Sequence, residues 1–561
     1  MEAVKQQNLK KLVITMIILI ALNFAGNYFF RRFDMTQDKR YTLSQTTLDI
    51  ISQVEGPLYI DVFLEGQFPG EFKRLQDETR QLLEEFHAHN PDIVFQFTNP
   101  LEEEEGREQA MQELYNLGMT PISVTVEDKG KQSQEVVFPW AMANFGEKTV
   151  KIQLLKNMMG ASTAEKVESS VQHLEYAITE AISKVIKEKE KKVAVLKGNG
   201  ELHELLMADF IKQVRESYYI APFTLDSVAV DPQKTLKALS KFDLAVIAKP
   251  TAEFTEEEKQ VLDQYIINGG KTLWMIDAVQ AEMDSLYNET GSTFAFTRNL
   301  NLDDMFFKYG VRINHDIIKD EMATPIKLAT GSQGSAAQYQ EYFWKFAPFV
   351  YPDSEHPIVK NMSGIKFDFA NSIDTLKNGV NKTILLHSSE FSKRVGTPVE
   401  VKLEMVAEET NPKDYQGQGN IPVAVLLEGN FRSAYENRVL PFKDAGFKAS
   451  GGDNKMIVIS DGDIVKNQLD KNYQPLELGY DKWTGNLYDN KGFLMNCVNY
   501  LLDDNGLINI RSKDVELPML DKQKVYDNYT TAQFITIGLP IVILGLFGLL
   551  FTWLRKRKYS K

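Results

Sequence analysis

The sequence predicts an α/β protein whose two soluble domains are held between an N-terminal and a C-terminal transmembrane helix. Three observations predict it. Apolar segments lie at both ends of the 561-residue chain. An early stretch alternates strand and helix patterns and finishes in a hairpin. A longer later stretch repeats short, wholly apolar runs between amphipathic helices, as a doubly wound, mostly parallel sheet covered on both faces requires.

Leu12 to Phe30 carries no charge between Lys11 and Arg31, and Thr531 to Leu554 carries none between Asp527 and Arg555. About 19 helical residues reach roughly 28 Å, close to the hydrocarbon thickness of a bilayer. The bulky Asn27-Tyr28-Phe29-Phe30-Arg31 offers no small-residue cleavage site, which favours an anchor over a cleaved signal. Arg555, Lys556, Arg557, Lys558 and Lys561 follow the second segment directly, and short basic flanks stay in the cytoplasm. Both termini are then expected in the cytoplasm and the body in the periplasm. The chain carries a net charge of −14 although both tips are basic, so the body is strongly acidic. That argues against nucleic acid as a partner. Cys497 is the single cysteine, which excludes an intramolecular disulfide and a CxxC redox centre.

The expected organisation is 1–33 for the cytoplasmic tip and first span, 34–160 for the first domain and 161–190 for a connecting helix. It continues with 191–510 for the second domain, 511–530 for a linker, 531–554 for the second span and 555–561 for the basic tail. In the first domain, Leu58 to Leu64 alternates as a strand. Phe72, Leu75, Leu82, Leu83 and Phe86 then fall at helical spacing, ended by Asn90-Pro91. Ile93, Phe95 and Phe97 mark a second strand, and Glu102 to Glu105 suit the positive end of a second helix. A third strand opens at Pro121 and a fourth runs from Gln134, around Asp128-Lys129-Gly130. This β-α-β-α-β-β order resembles the thioredoxin fold in layout. Glu65 to Gly70 stands where redox members carry cysteines and holds no sulfur, so thiol–disulfide chemistry is excluded.

Ser162 and Glu165 form a capping box for the connecting helix, whose Val167, Val171, Leu174, Ile178, Ile182 and Val185 make one apolar stripe. Val193 to Leu196, Asp243 to Ala248, Leu273 to Ile276, Thr383 to Leu386, Val423 to Leu427 and Met456 to Ile459 read as buried strands of the second domain. Ligands of such sheets sit beyond the C-terminal strand ends. The polar residues there are Asn199, Glu201, Asp277, Asp461 and Asp463, the candidate ligand-binding cleft. Ser460-Asp461-Gly462-Asp463 suits either a divalent cation held by two carboxylates or an ordinary strand-ending turn. Gly198-x-Gly200 lacks the third glycine of a dinucleotide fingerprint and the Lys-Ser/Thr of a P-loop. There is no G-x-S-x-G elbow and no clustered histidine, so no enzyme, cofactor or metal centre is expected.

Phe242 to Pro250, Phe254-Thr255-Glu256-Glu257-Glu258, Gln264 to Lys271 and Asn301 to Asn314 resemble the auxiliary-subunit family of ABC-type transport systems. The resemblance implies a glutamine-amidotransferase-like second domain without its catalytic cysteine. Arg40-Tyr41-Thr42-Leu43-Ser44, Asn371 to Lys377, Leu427 to Phe431 and Gly479 to Gly485 are similar to the branch associated with gliding motility. Implied partners are a permease subunit and a cytoplasmic ATPase in the inner membrane, with envelope proteins as further contacts. ATP hydrolysis would belong to a partner.

Overall fold

The computed structural model describes residues 10–21, 23, 34, 36, 39–66, 68–102, 106–128, 131–333, 336–513 and 522–559. Two compact units result, residues 1–514 and 515–561.

The first unit begins with a four-stranded sheet. Its strands are β1 (Leu58–Val62), β2 (Ile93–Phe97), β5 (Trp140–Phe145) and β6 (Lys148–Gln153), in the order β2-β1-β5-β6. β1 and β2 are parallel because the helix Gly70–His89 crosses between them, whereas β5 and β6 run antiparallel as a hairpin. The expected hairpin at Pro121 forms, as β3 (Ile122–Asp128) and β4 (Lys131–Val137), but it is a separate two-stranded ribbon. The sheet is completed instead by Trp140–Phe145 and Lys148–Gln153. The second helix starts at Arg107 behind Gly106, later than the acidic run suggests. Glu103 to Glu105 lie outside the described residues.

The connecting helix spans Thr163–Ile186, and both halves of its capping box are made. Its stripe packs on the helix Gly70–His89 and on β5 and β6. Glu175, 5 % exposed, ties two distant segments to the helix there. Ser44 N and Thr47 Oγ1 donate to its Oε1 at 2.7 and 2.8 Å, and Lys513 Nζ donates to Oε2 at 2.7 Å. Lys513 also donates to the carbonyl of Thr42 at 2.8 Å. The chain entering the body and the chain leaving it are therefore fastened at one place.

The large sheet has seven strands, including β7 (Lys192–Lys197), β8 (Tyr219–Thr224), β9 (Leu244–Ala248) and β10 (Lys271–Met275). Its order is Asn381–His387, Pro422–Arg432, Ser450–Ile459, β10, β9, β7, β8. Only Pro422–Arg432 runs against the rest. Alternate residues feed two cores. Val193, Val195 and Leu273 meet Phe210, Phe493 and Cys497 on one face; Ala194, Leu196 and Trp274 meet Val261 and Phe306 on the other. Burial on both faces explains why β9 is apolar throughout. Between β10 and Pro422 lies a segment of small antiparallel pairs, among them the long hairpin Ala323–Gln333 with Ala336–Val350. That hairpin is not among the strands expected from sequence, and its own core holds Trp344, Phe346 and Phe369.

The second unit contains the helix Tyr529–Lys558, 30 residues long, whose most apolar 18-residue stretch has mean hydropathy 2.6, long and apolar enough to cross a membrane. A π-turn at Phe534–Gly538 precedes Pro540, whose ring cannot sit in an undisturbed α-turn. Of the other expected span, residues 10–21 are helical and most of the remainder lies outside the described residues. Among the described residues, then, one helix meets the requirement rather than two.

Asp263, wholly buried on the helix Glu256–Ile267, accepts from Tyr309 Oη at 2.8 Å, Ser433 Oγ at 2.6 Å and the Ala434 amide at 2.7 Å. Asp263→Ala strands all three donors and is expected to cost about 3 kcal/mol or more, read as a lower midpoint in chemical denaturation.

Candidate functional site

The parallel strands β9 and β10 and the strand Ser450–Ile459 end side by side, and their first loop residues converge. β9 delivers Lys249, β10 delivers Asp277, and Ser450–Ile459 delivers Asp461 and Asp463. Lys249 sits in the left-handed region, φ +51°, which turns its side chain back under the sheet edge. Its amide donates to Met275 O at 2.9 Å. Gly462 makes room for it, since a Cβ there would lie 2.5 Å from Lys249 Cγ.

The Lys249 ammonium, 4 % exposed, is 2.5 Å from Asp463 Oδ2, 2.8 Å from Glu282 Oε1 and 3.4 Å from Asp277 Oδ2. These three carboxylates can place oxygens within 4.8 Å of one another, a spacing that suits a cation. The protein's own ammonium takes that role, and the carboxylates raise its pKa despite burial. Burial pushes the Asp277 carboxyl up to about 6 against the pull of Lys249. Asp461, wholly buried, is pushed well above the usual carboxylate range by burial and by its neighbours Asp277 and Asp463.

Asp461 and Asp463 face different partners. Asp461 accepts from the Asp463 amide at 2.7 Å and from the Asp368 amide at 2.8 Å, holding the turn, while Asp463 faces Lys249. Asn199 and Glu201 follow β7 in the adjoining loop. The Asn199 amide donates to Glu201 Oε2 at 2.8 Å, and Asn199 Nδ2 donates to Glu258 at 3.1 Å. No hydrogen bond or ion pair joins either residue to the Lys249 cluster among the described residues. Their free oxygens, Asn199 Oδ1 and Glu201 Oε1, are buried without a hydrogen-bond partner. Burial raises the Glu201 carboxyl.

Outside the cluster opens a cleft of about 370 Å³. Glu282, Lys366, Asp368, Asp463 and Lys466 supply its charged wall, and Tyr287 and Trp483 its aromatic one. Lys249, Glu282, Lys366, Asp368 and Lys466 were not among the residues picked from sequence. A lysine directly after a wholly apolar strand was the available signal for Lys249. The others lie on segments whose position near the sheet edge depends on the tertiary fold.

Lys249→Met leaves the buried Asp277 and the part-buried Asp463 and Glu282 without their shared ammonium and is expected to destabilise the chain by about 3 kcal/mol at pH 7. A carboxyl whose folded pKa is raised binds protons that the unfolded chain releases, so its folded form gains stability as pH falls from about 6 toward 4. Without the ammonium that lowers it, the Asp277 carboxyl rises further in the variant, which then takes up more protons on folding than the parent, so its deficit should shrink between pH 7 and pH 5, measured by thermal unfolding at both.

Residues 190–497, more than half of the chain, match the family model described as ABC-type uncharacterized transport system. Residues 37–144 match a domain of unknown function, DUF7088. An uncharacterized protein of Borreliella burgdorferi is 21 % identical over 558 residues, covering 97 % of both chains. Among solved structures, the mmIFT52 N-terminal domain is similar at 14 % identity with a TM-score of 0.31, over 58 % of this chain and 100 % of that one. A ThuA-like protein of Parabacteroides merdae is similar at 10 % identity and a TM-score of 0.27, over 60 % of this chain and 94 % of that one. With the match running across the whole large sheet and the Lys249 site, the chain belongs to the auxiliary family of ABC-type transport systems.

Proposed function

We propose that this chain is a non-enzymatic auxiliary subunit of an ABC transporter, anchored in the bacterial inner membrane at both ends with its body in the periplasm. It docks on a permease whose cytoplasmic ATPase supplies the energy, and its acidic body meets envelope partners. The observation that carries this is the Glu175 junction. Segment 40–47, just after the N-terminal apolar stretch, and Lys513, just before the C-terminal one, meet on the same carboxylate. The basic residues Arg555 to Lys558 at the end of the long apolar helix support a cytoplasmic tail.

In this proposal, segment 34–160 is a thioredoxin-like scaffold and segment 191–510 a glutamine-amidotransferase-like one. Neither uses the chemistry of its namesake: the first lacks redox cysteines, and Cys497 is buried in a helix. The segments resembling the gliding-motility-associated transporter protein GldG support a role in that form of transport, or in the motility machine as a structural part. A second reading, capture of a small ligand, is favoured by the cleft of about 370 Å³ outside the Lys249 cluster.

Solubilised under mild detergent, the chain should co-purify with a permease and an ATPase; migration alone would refute the proposal. Alkaline phosphatase inserted at Asn299 should be active and green fluorescent protein fused after Lys561 should fluoresce. If ligand capture is the role, a thermal-shift screen will give a stabilising compound whose effect Lys466→Ala and Trp483→Ala, both in the cleft wall, abolish.

A further inference from the structure

A second cavity, of about 550 Å³, lies away from the sheet edge. The connecting helix, the helix Asn490–Leu502 and the turn Leu507–Ser512 enclose it. Arg511 lines it and is 6 % exposed. Its Nε donates to Pro357 O and its Nη2 to Lys360 O, both at 3.0 Å, and its Nη1 donates to His173 Nδ1 at 3.3 Å. Three neutral acceptors thus meet a group with five N–H donors that stays charged in proteins. Lys156, also lining the cavity, donates among the described residues to Asn361 O alone. Neither cation has a carboxylate within ion-pair distance among the described residues.

The acids around this cavity do not supply the missing charge. Glu180 pairs with Lys184 at 3.1 Å, and Glu477 with Lys491 at 2.7 Å. Burial raises the Asp489 carboxyl, which accepts from the Ser363 amide at 3.0 Å. In a chain of net charge −14, this is a positive interior. A buried guanidinium without a counter-charge is costly, and an anion that bonds it closely removes the cost. Because His173 Nδ1 accepts from Arg511, its proton sits on Nε2, which is left as a further donor. Trp140 and Met495 supply apolar wall, and the volume exceeds that of an inorganic ion.

We propose that this cavity binds a small organic anion, its carboxylate or phosphate group held by Arg511, Lys156 and His173 and its body against Trp140 and Met495. The inference stands apart from the membrane arrangement and from the cleft at the sheet edge. Burial and the Arg511 guanidinium push the Lys156 amine down to about 7, with Asp489 opposing them and His173 held neutral by the same burial. An arriving anion favours the protonated amine, so binding at pH 8 should take up a proton.

The test is isothermal titration calorimetry on the full chain in detergent, with phenyl phosphate and benzoate as probes and benzyl alcohol as the neutral control. One or both anions should bind once per chain with a Kd of about 1 mM or tighter, and benzyl alcohol should give no signal. The heat at pH 8 should differ between Tris and HEPES buffers by the ionisation heat of the proton taken up. Lys156→Gln and Arg511→Gln should each weaken binding at least about tenfold. Should either variant fail to fold, the neutral control and the proton uptake decide on the unaltered chain. Silence toward both anions, equal binding of benzyl alcohol, or heats independent of buffer would overturn the proposal.

Discussion

One buried carboxylate, Glu175, decides how the body of this protein is closed. It accepts from the backbone of Ser44, the hydroxyl of Thr47 and the ammonium of Lys513, drawing the two limits of the body onto the middle of the connecting helix. The helix can offer that point because its other face is spent on β5, β6 and the helix Gly70–His89. With Lys513 held, the turn Leu507–Ser512 lies against the same helix, and Arg511 is carried over the Tyr176 ring, 5.3 Å from its centroid. The positive cavity is a by-product of that closure: the residues that seal the body also remove Arg511 from water.

The sheet edge follows a different logic. Parallel strands buried on both faces release their chains at a common end, and polar groups collect there. Here three strand ends bring one lysine and several aspartates into a space with little water, where charge must be matched locally. Lys249 matches it, and the surrounding amides of Gly462, Asp463 and Asp368 complete the hydrogen bonding of Asp277 and Asp461. The edge is therefore a rigid floor, and adaptable side chains such as Lys466 and Trp483 stand around the cleft above it.

Much of this was legible in the residues. Apolar runs such as Leu244–Ala248, buried at every position, announce central parallel strands, and the Thr255–Glu258 capping box announces the helix that covers them. The ribbon Ile122–Val137 was legible as a hairpin, yet its exclusion from the first sheet was not, because pairing of edges is settled by tertiary packing. Trp140–Phe145 escaped notice since Trp140, Ala141 and Ala143 are all buried and no clean alternation shows. At the site, Asp277 and Asp463 were found from their places after strands. Glu282 and Asp368 were not, since they come from the antiparallel segment that follows β10 and nothing local marks their approach to the sheet edge. Asn199 and Glu201 occupy the expected edge but form their own buried pair one loop away.

The single junction on the connecting helix also has a mechanical meaning. Because Ser44, Thr47 and Lys513 share one carboxylate, neither limit of the body can fray without leaving Glu175, and the other limit with it, less fully bonded.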